Sequence, residues 1–332
     1  MHIERVKIVK KKLIIVLVLI VSILIGAGYG VGNYFVNYAL SPYSDSEERN
    51  VDEDDKIEKL EGIEKIISEN RDKEDKKGEE FEKLTSSAQI LSNDNLKLKG
   101  KYITQGKNNH KWVILIHGYK SSNKHMMSYG AKYYEKGYNV LLPNNRAHGD
   151  SEGDYIGMGW LDKDDIACWI DWISKNDSNA KIILHGVSMG AATTMMASGD
   201  NLNNVVGYIE DCGYTSVWDI FASELDKRFS LPTFPVLDIS VMVANMKAGY
   251  NFKDASSVKQ VAKCKEPMMF IHGGKDDFVP TDMVYEVYDA AKCKKDLYLV
   301  KEAGHAEAKD YDPDAYWNEV FDFIDKNIRD LK

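Results

Sequence analysis

The sequence predicts an α/β fold in which a mostly parallel sheet is covered by helices on both faces. From about residue 88 onward, strand-like and helix-like segments alternate, as in chains that cross over between parallel strands. The predicted strands are short, continuous apolar runs, which is typical of strands buried on both faces. One of them, residues 181–185, leads through Gly186-Val187-Ser188-Met189-Gly190 into a run of small residues that reads as a helix.

The elements of this domain follow in chain order from the same patterns. An opening hairpin is predicted because two strand-like runs flank Ser92-Asn-Asp-Asn95, a typical turn sequence. The remaining segments are assigned by apolar runs of strand length or by helical periodicity. Strands are predicted at residues 88–91, 96–104, 112–117, 139–143, 181–185, 205–210, 267–272 and 297–301, and helices at 125–136, 162–175, 191–197, 282–291 and from 313 onward.

The first 40 residues predict a membrane segment. A basic cytoplasmic stretch, residues 1–12, precedes a charge-free span over residues 13–40 that is longer than the roughly 20 residues needed to cross a bilayer. We expect a single-pass transmembrane anchor with the rest of the chain outside the cytoplasm, because basic flanks stay inside. The alternative is a cleaved signal peptide and a secreted protein, with Gly26-Ala27-Gly28 as the cleavage site.

The chain carries a net charge of −9, and its charges are unevenly spread. Residues 41–83 form a charged spacer. Residues 45–83 of this spacer contain 17 Asp and Glu and 9 Lys and Arg. Ile57, Leu60, Ile63 and Ile67 have helical spacing, so the spacer is expected to be partly helical with a thin apolar stripe on the globular domain. No basic patch suggests nucleic acid as a partner.

The globular domain, residues 84–332, contains one interruption. Residues 215–261 break the alternation directly after a strand, at the sheet edge where open α/β sheets bind ligands. The interval predicts a small helical cap whose inner face forms an apolar pocket, unless its apolar residues are ordinary core residues of extra helices. The candidates are Trp218, Phe221, Leu225, Phe229, Leu231, Phe234, Val236 and Met242.

Ser188 is the predicted nucleophile. A strand that reverses into a helix within one residue forces a strained backbone at the apex and leaves no room for neighbouring Cβ atoms, which explains the flanking glycines Gly186 and Gly190. The hydroxyl is then exposed beside the first turn of a helix, where free N–H groups favour a developing negative charge.

A serine needs a base to accept its proton, and the base needs a carboxylate to orient it. His305 is the predicted base, because it follows a strand in a loop late in the chain, where the order Ser, Asp, His places it. His117, His185 and His272 end strands and are expected to be packed, hydrogen-bonded imidazoles, and His148 to shape its loop.

The acid and the oxyanion donors come from two further loops. Asp276 is the predicted acid, in competition with Asp277, which could instead cap the next helix or face solvent. The backbone N–H groups of Met189 and Tyr119 are the predicted oxyanion donors, although the loop around Tyr119 could be a plain strand-to-helix turn.

The four cysteines, Cys168, Cys212, Cys264 and Cys293, form no C-x-x-C pair, so neither a metal site nor a disulfide scaffold is indicated. Cys264 and Cys293 precede adjacent predicted strands, which would bring them to one end of the sheet. The sequence leaves open whether they form a disulfide bridge or remain free thiols.

Taken together, the motifs resemble those of the α/β-hydrolase superfamily, and within it membrane-anchored bacterial hydrolases similar to the serine aminopeptidase-like branch. The resemblance extends from about residue 88 to the C-terminus. It rests on His117-Gly118, Arg146-Ala-His-Gly-Asp-Ser151, Gly186-Val-Ser-Met-Gly190, His272-Gly-Gly-Lys-Asp276 and Gly304-His305. It implies an α/β-hydrolase fold, the catalytic set Ser188, Asp276 and His305, and no required metal or organic cofactor. Ala147 stands where relatives often have glycine.

These observations predict a serine hydrolase that acts on a small-molecule ester or peptide-like substrate through an acyl-enzyme, with a carboxylesterase as the main hypothesis. A serine exopeptidase and a lipid or thioester hydrolase are alternatives with the same nucleophile. A non-catalytic binding protein on the same fold is an alternative from another class. The oligomeric state does not follow from the sequence.

Overall fold

The structure is a computed structural model that describes residues 2–44 and 62–331. Its strands are β1 (Ser86–Leu91), β2 (Lys97–Ile103), β3 (Lys111–Ile116), β4 (Asn139–Pro143), β5 (Lys181–Val187), β6 (Val205–Asp211), β7 (Met268–Gly273) and β8 (Lys295–Val300). Within these residues they form one eight-stranded sheet in the order β1-β2-β4-β3-β5-β6-β7-β8. β2 pairs antiparallel with β1 and β4, and the other neighbours are parallel, as predicted.

Helices cover both faces of this sheet. Others precede its first strand and follow its last strand in the sequence. The α-helices are α1 (His2–Leu40), α2 (Ile63–Glu82), α3 (Met127–Glu135), α4 (Asp162–Asn176), α5 (Met189–Ser198), α6 (Val217–Phe229), α7 (Thr233–Lys247), α8 (Ser257–Val261), α9 (Asp282–Ala290), α10 (Ala308–Tyr311) and α11 (Pro313–Asn327). Short 3₁₀ segments occupy Asn123–Met126 and Arg329–Leu331.

Two apolar cores follow from the alternation of side chains along the strands. In β3, Val113 and Leu115 point to the core shared with α3 and α11, whereas Ile114 and Ile116 point to the core shared with α4 and α9. All four side chains are fully buried. A strand that is apolar on both faces requires a cover on both faces, so the continuous apolar runs in the sequence account for the three-layer architecture.

The parallel strands bring their carboxyl ends to one edge of the sheet. Ile116 at the end of β3 pairs with Gly186 of β5, Val187 of β5 with Asp211 of β6, and Gly273 of β7 with Val300 of β8. The loops after β3, β5, β7 and β8 therefore emerge side by side, although they are far apart in sequence.

Part of the segment assigned to the spacer packs on the domain. α2 lies against α3, with Ile67 and Phe81 buried, and a Cβ at Gly78 would lie 2.9 Å from the backbone nitrogen of Ser128. Ile63 is 39% exposed, while Ile57 and Leu60 lie outside the described residues. The described helix thus has an apolar contact face that includes Ile67 and Phe81.

Residues 215–261 contain the predicted extra helices, α6, α7 and α8. α6 and α7 share an apolar cluster with Met189 and Met158, whereas Val261 of α8 belongs to the core shared with α4 and α9. α6 begins at an N-cap in which the hydroxyl of Ser216 accepts the N–H of Asp219 at 3.1 Å. α7 and the second half of α1 lie against one another.

α1 is continuous over its described length and has two unlike halves. Residues 10–40 are long and apolar enough to span a membrane, and the apolar side chains from Leu13 to Ile25 are exposed. Val36 and Leu40, by contrast, are 1% and 0% exposed within the domain. The sequence predicted one helix of uniform role, whereas the structure divides it into an exposed part and a packed part.

Candidate active site

The turn after β5 places Ser188 at the apex between strand and helix. Its backbone has φ +58° and ψ −118°, in the left-handed half of the map that side chains other than glycine rarely adopt. A Cβ at Gly186 would lie 2.0 Å from the carbonyl oxygen of Gly190, and a Cβ at Gly190 would lie 2.0 Å from that of Ile116. Both glycines are therefore required by close backbone contacts.

His305, in the loop after β8, contacts the serine. Its Nε2 lies 2.8 Å from Ser188 Oγ, and its Nδ1 lies 2.7 Å from Asp276 Oδ2. The network assigns the proton to Nδ1, because the carboxylate can only accept. Nε2 is then free to accept the hydroxyl proton of Ser188, which is the arrangement that activates a serine.

The acid facing His305 is Asp276, which is 6% exposed, while the neighbouring Asp277 is exposed at the surface. Asp276 Oδ1 accepts the N–H groups of Phe278 at 2.9 Å and Val279 at 2.8 Å. Burial raises the pKa of this carboxyl, but the hydrogen bonds and charges of two histidines outweigh burial and hold the pKa well below its usual range.

The second of these histidines is His272, whose involvement with the acid was not predicted. Its Nε2 lies 3.0 Å from the carbonyl oxygen of Val279 and 3.3 Å from Asp276 Oδ2. Burial lowers the pKa of His272, but Asp276 and the buried Glu210 raise it more, so the net shift is upward. A signal for this contact was present, because His272 ends β7 only four residues before Asp276.

The loop after β3 approaches the nucleophile closely. A Cβ at Gly118 would lie 3.3 Å from Ser188 Cβ, so a larger residue here would press on the serine. Tyr119 and Met189 line the same cavity as Ser188. Met189 begins α5, where the first N–H groups have no partner within the helix. Both predicted oxyanion residues thus lie at the cavity that contains the serine.

Two buried histidines fix this loop. His117 Nε2 accepts the N–H of Asn145 at 3.0 Å, and His148 Nε2 accepts the N–H of Lys120 at 3.0 Å. Burial lowers the pKa of His117 to about 3 and that of His148 to about 4, so both stay neutral and able to accept. The predictions of a packed His117 and of a loop-shaping His148 are both confirmed.

Ala147 has φ +58°, which explains why glycine suits that position.

An apolar cavity, partly open to solvent, lies directly beside Ser188. Of the predicted cap residues, Phe221, Leu225, Phe229 and Val236 line it. Phe234 and Met242 are instead 75% and 67% exposed. The remaining wall includes Phe35, Val36, Tyr38 and Ala39 of α1, which the sequence did not predict.

One group of side chains at the site has metal-ligand character. Cys212, Asp276 and His305 place possible ligand atoms within 4.8 Å of one another. Burial, together with the nearby Asp211 and Asp276, raises the pKa of the Cys212 thiol well above its ordinary value, which disfavours the thiolate that binds metals. The other two side chains already pair with each other, so the geometry suits proton transfer better than metal binding.

The four cysteines are unbridged in the structure. The side chains of Cys264 and Cys293 nevertheless interact with each other, and this interaction, together with burial, raises the pKa of the Cys264 thiol. The expectation that the two residues meet at one end of the sheet is confirmed, with both as free thiols.

Comparison with known proteins agrees with this architecture. Residues 107–228 match the model of the serine aminopeptidase S33 family, and an esterase of Pyrococcus furiosus superposes with a TM-score of 0.61 at 24% identity, over 74% of this chain and 91% of the esterase. The chain therefore has the fold of that esterase. It is also 26% identical to the protein YqkD of Bacillus subtilis over 255 residues, which are 76% of this chain and 83% of YqkD.

A second relative of this chain is described as a membrane protein. It is the Saccharomyces cerevisiae protein YNL320W, which is 22% identical over 258 residues, or 76% of this chain and 82% of the yeast protein. The alignments with these single proteins cover about three quarters of the chain, whereas the family match is confined to residues 107–228.

Proposed function

We propose that this protein is a serine hydrolase that cleaves carboxylic esters through an acyl-enzyme intermediate. The observation that carries the proposal is the continuous hydrogen-bonded path from Ser188 Oγ through His305 to Asp276, at 2.8 Å and 2.7 Å, beside an apolar cavity. A cavity of this kind suits an uncharged acyl group, and the path suits proton transfer to and from a serine.

In the first half of the reaction, Ser188 Oγ bonds to the ester carbonyl carbon while its proton passes to His305 Nε2. Asp276 holds the imidazole and stabilises its cationic form. The backbone N–H groups of Tyr119 and Met189 stabilise the oxyanion, and each such donor contributes on the order of 3 kcal/mol to the transition state. The carbon–oxygen bond to the alcohol then breaks, and the alcohol takes the proton from His305.

The second half repeats these steps with water. His305 takes a proton from a water molecule, whose oxygen bonds to the acyl carbon. The bond between this carbon and Ser188 Oγ breaks, the carboxylic acid leaves, and the serine regains its proton from His305. The low pKa of Asp276 keeps that carboxylate charged throughout, as the imidazolium requires.

The charge distribution in the cavity favours a neutral acyl ester over a peptide with a free amino group. Glu224 lines the cavity and could in principle bind a substrate ammonium group. Its Oε2, however, already accepts a hydrogen bond from Arg228 Nε at 2.5 Å, and Arg228 also lines the cavity. A substrate cation at Glu224 would lie beside a guanidinium in an apolar site, where repulsion is weakly screened. An exopeptidase activity is therefore the second candidate.

The decisive experiment compares the wild type with Ser188→Ala. We expect covalent labelling by a fluorophosphonate and hydrolysis of 4-nitrophenyl butyrate by the wild type, and neither by the variant. Ser216→Ala is a matched control, because Ser216 caps α6 rather than facing His305. Wild-type rates in Ser188→Ala would contradict the proposal, as would an unreactive wild type, which would favour a binding protein.

We further propose that α1 remains attached as an anchor and that the catalytic domain lies outside the cytoplasm. The basic residues Lys10, Lys11 and Lys12 precede the apolar span, and such clusters stay on the cytoplasmic side. A membrane-impermeant fluorophosphonate should therefore label the protein in intact cells. Labelling only after lysis would place the domain on the other side, and recovery of a shortened chain in the medium would indicate signal cleavage.

A further inference from the structure

The two halves of α1 lie in different surroundings, and the division has the dimensions of a bilayer. Residues 10–40 of this helix would extend roughly 46 Å at 1.5 Å per residue, whereas a hydrocarbon core is about 30 Å thick. If the core begins just after Lys12, it ends near Gly32. Val36 and Leu40, which are buried in the domain, then lie on the aqueous side.

α7 of the cap runs parallel to α1. Cβ atoms at Gly28 and Gly32 would lie 3.7 Å and 3.0 Å from side-chain carbons of Ile239, so these glycines face α7. Further along both helices, Lys247 Nζ donates to the side-chain oxygens of Asn33 at 2.6 Å and Asn37 at 3.1 Å. Residue numbers rise in the same direction in both helices, so the N-terminal end of α7 points toward the exposed apolar half of α1.

The N-terminal end of α7 therefore reaches the level of the hydrocarbon. Phe234 lies at this end, at a break in the helical backbone. Its side chain is 75% exposed, and the nearby Leu231 is 36% exposed. Large apolar side chains exposed at this depth would be covered by lipid in a membrane. Met246, at the other end of α7, is 66% exposed on the aqueous side.

The cavity beside Ser188 runs between the same two helices. It is lined by Ser188 and Met189 and also by Val236 and Leu237 in the first turns of α7. The rings of Phe35 in α1 and Phe229 in α6 meet edge to face across one side, with their centroids 5.2 Å apart. The cavity thus extends from the nucleophile toward the end of the cap that faces the bilayer.

We infer that the substrate is an acyl ester resident in the membrane, whose hydrocarbon chain enters from the bilayer between α1 and the cap and brings its ester carbonyl to Ser188. This inference rests on the proposed esterase function and specifies its substrate class. In it, α1 is a wall of the acyl site as well as an anchor, and the segment around Phe234 contacts the lipid acyl chains.

The test uses the full-length protein in phosphatidylcholine vesicles with two substrates. One is a fluorogenic ester of a long-chain fatty acid embedded in the bilayer, and the other is 4-nitrophenyl acetate in the water. Phe234→Asp places a charge at the proposed lipid contact without disturbing the interior. We expect it to slow hydrolysis of the embedded ester at least tenfold and to leave that of the acetate within twofold.

Met246→Asp is the matched control, because it introduces the same charge at a similarly exposed position of α7 on the aqueous side. It should leave both rates unchanged. Hydrolysis of the acetate without hydrolysis of the embedded ester, or equal rates for Phe234→Asp and Met246→Asp on the embedded ester, would overturn the inference and leave the esterase proposal intact. Absence of both activities together with absence of fluorophosphonate labelling would instead overturn the esterase proposal.

Discussion

Tyr119 donates its hydroxyl proton to the backbone carbonyl of Ala39 at 2.8 Å, across 80 positions of the sequence. This bond ties the loop that carries the proposed oxyanion donor to the last turn of α1. It connects the part of the chain that contacts the nucleophile to the part that precedes the whole domain.

The first prediction concerns this bond. Tyr119→Phe removes the hydroxyl but keeps the ring, so the loop should lose a positioning contact worth about 1 kcal/mol. We expect kcat/KM for 4-nitrophenyl butyrate to fall roughly threefold to tenfold. Tyr34→Phe removes a hydroxyl from a tyrosine of α1 that is 56% exposed, and its kinetics should match the wild type. An equal effect in both variants would assign the loss to general destabilisation.

A second prediction separates the two adjacent acids. Asp276→Asn removes the charge that stabilises the His305 imidazolium and favours the wrong tautomer, so we expect kcat to fall by about 10³ or more. Asp277→Asn should stay within threefold of the wild type, since Asp277 is exposed. Steady-state kinetics on one short ester are sufficient. A large loss in Asp277→Asn alone would reverse the assignment of the acid.

The contact between α1 and α7 provides a third prediction. A Cβ at Gly32 would lie 2.8 Å from a side-chain carbon of Val243 and 3.1 Å from the carbonyl oxygen of Ile239, whereas one at Gly30 would have no neighbour within 4 Å. Gly32→Leu should therefore force the helices apart, lower the Tm and raise KM for longer acyl esters. Gly30→Leu, on the same helix, should change neither. Thermal unfolding in detergent and kinetics across chain lengths measure both effects.

The fourth prediction is a pH dependence of stability. His185 is fully buried between two tyrosine hydroxyls, those of Tyr133 at 3.0 Å and Tyr316 at 3.1 Å, and burial lowers its pKa from 6.5 to about 3. Between these two values the unfolded chain binds more protons than the folded one. This residue therefore makes the free energy of unfolding rise with pH over that window, by up to about 1.4 kcal/mol per unit.

His185→Gln should remove this contribution, so that the denaturant midpoint depends less steeply on pH between about 4 and 6.5. The buried Asp211 opposes the trend, because burial raises its pKa to about 6 and its folded form therefore binds more protons than its unfolded form. For this reason the quantity to compare is the difference between variant and wild type at each pH. His125→Gln, at an exposed position, serves as the control, and an identical pH slope for all three proteins would contradict the prediction.

The sheet and the position of the site could be predicted because their signals are local. Apolar runs of strand length define β3, β5 and β7, and the glycines around Ser188 specify a turn that few other structures require. Parallel pairing then places the loops at one edge without further information. The choice between the adjacent Asp276 and Asp277 depends on the exact path of a loop, which the sequence pattern does not give. In the structure, the backbone N–H groups of Phe278 and Val279 hold the carboxylate of Asp276 in place.

The double role of α1 was not predicted, because hydropathy does not distinguish an apolar side chain that faces lipid from one that faces protein. Leu13 and Val36 read alike in the sequence, yet one is exposed and the other buried. A signal was nevertheless present. Asn33 and Asn37 are polar residues four positions apart within the apolar span, which indicates a helix face with a protein partner.

The burial of Val36 and Leu40 affects how this protein can be produced. Deleting a hydrophobic N-terminus is a common way to obtain a soluble fragment for crystallisation. Here a fragment that starts after Leu40 would lack side chains from the interior of the protein, and the cavity beside Ser188 would be open on one side. A low activity of such a fragment would reflect this damage and not the intrinsic rate of the full-length protein, so a longer fragment that retains the second half of the helix is the better choice.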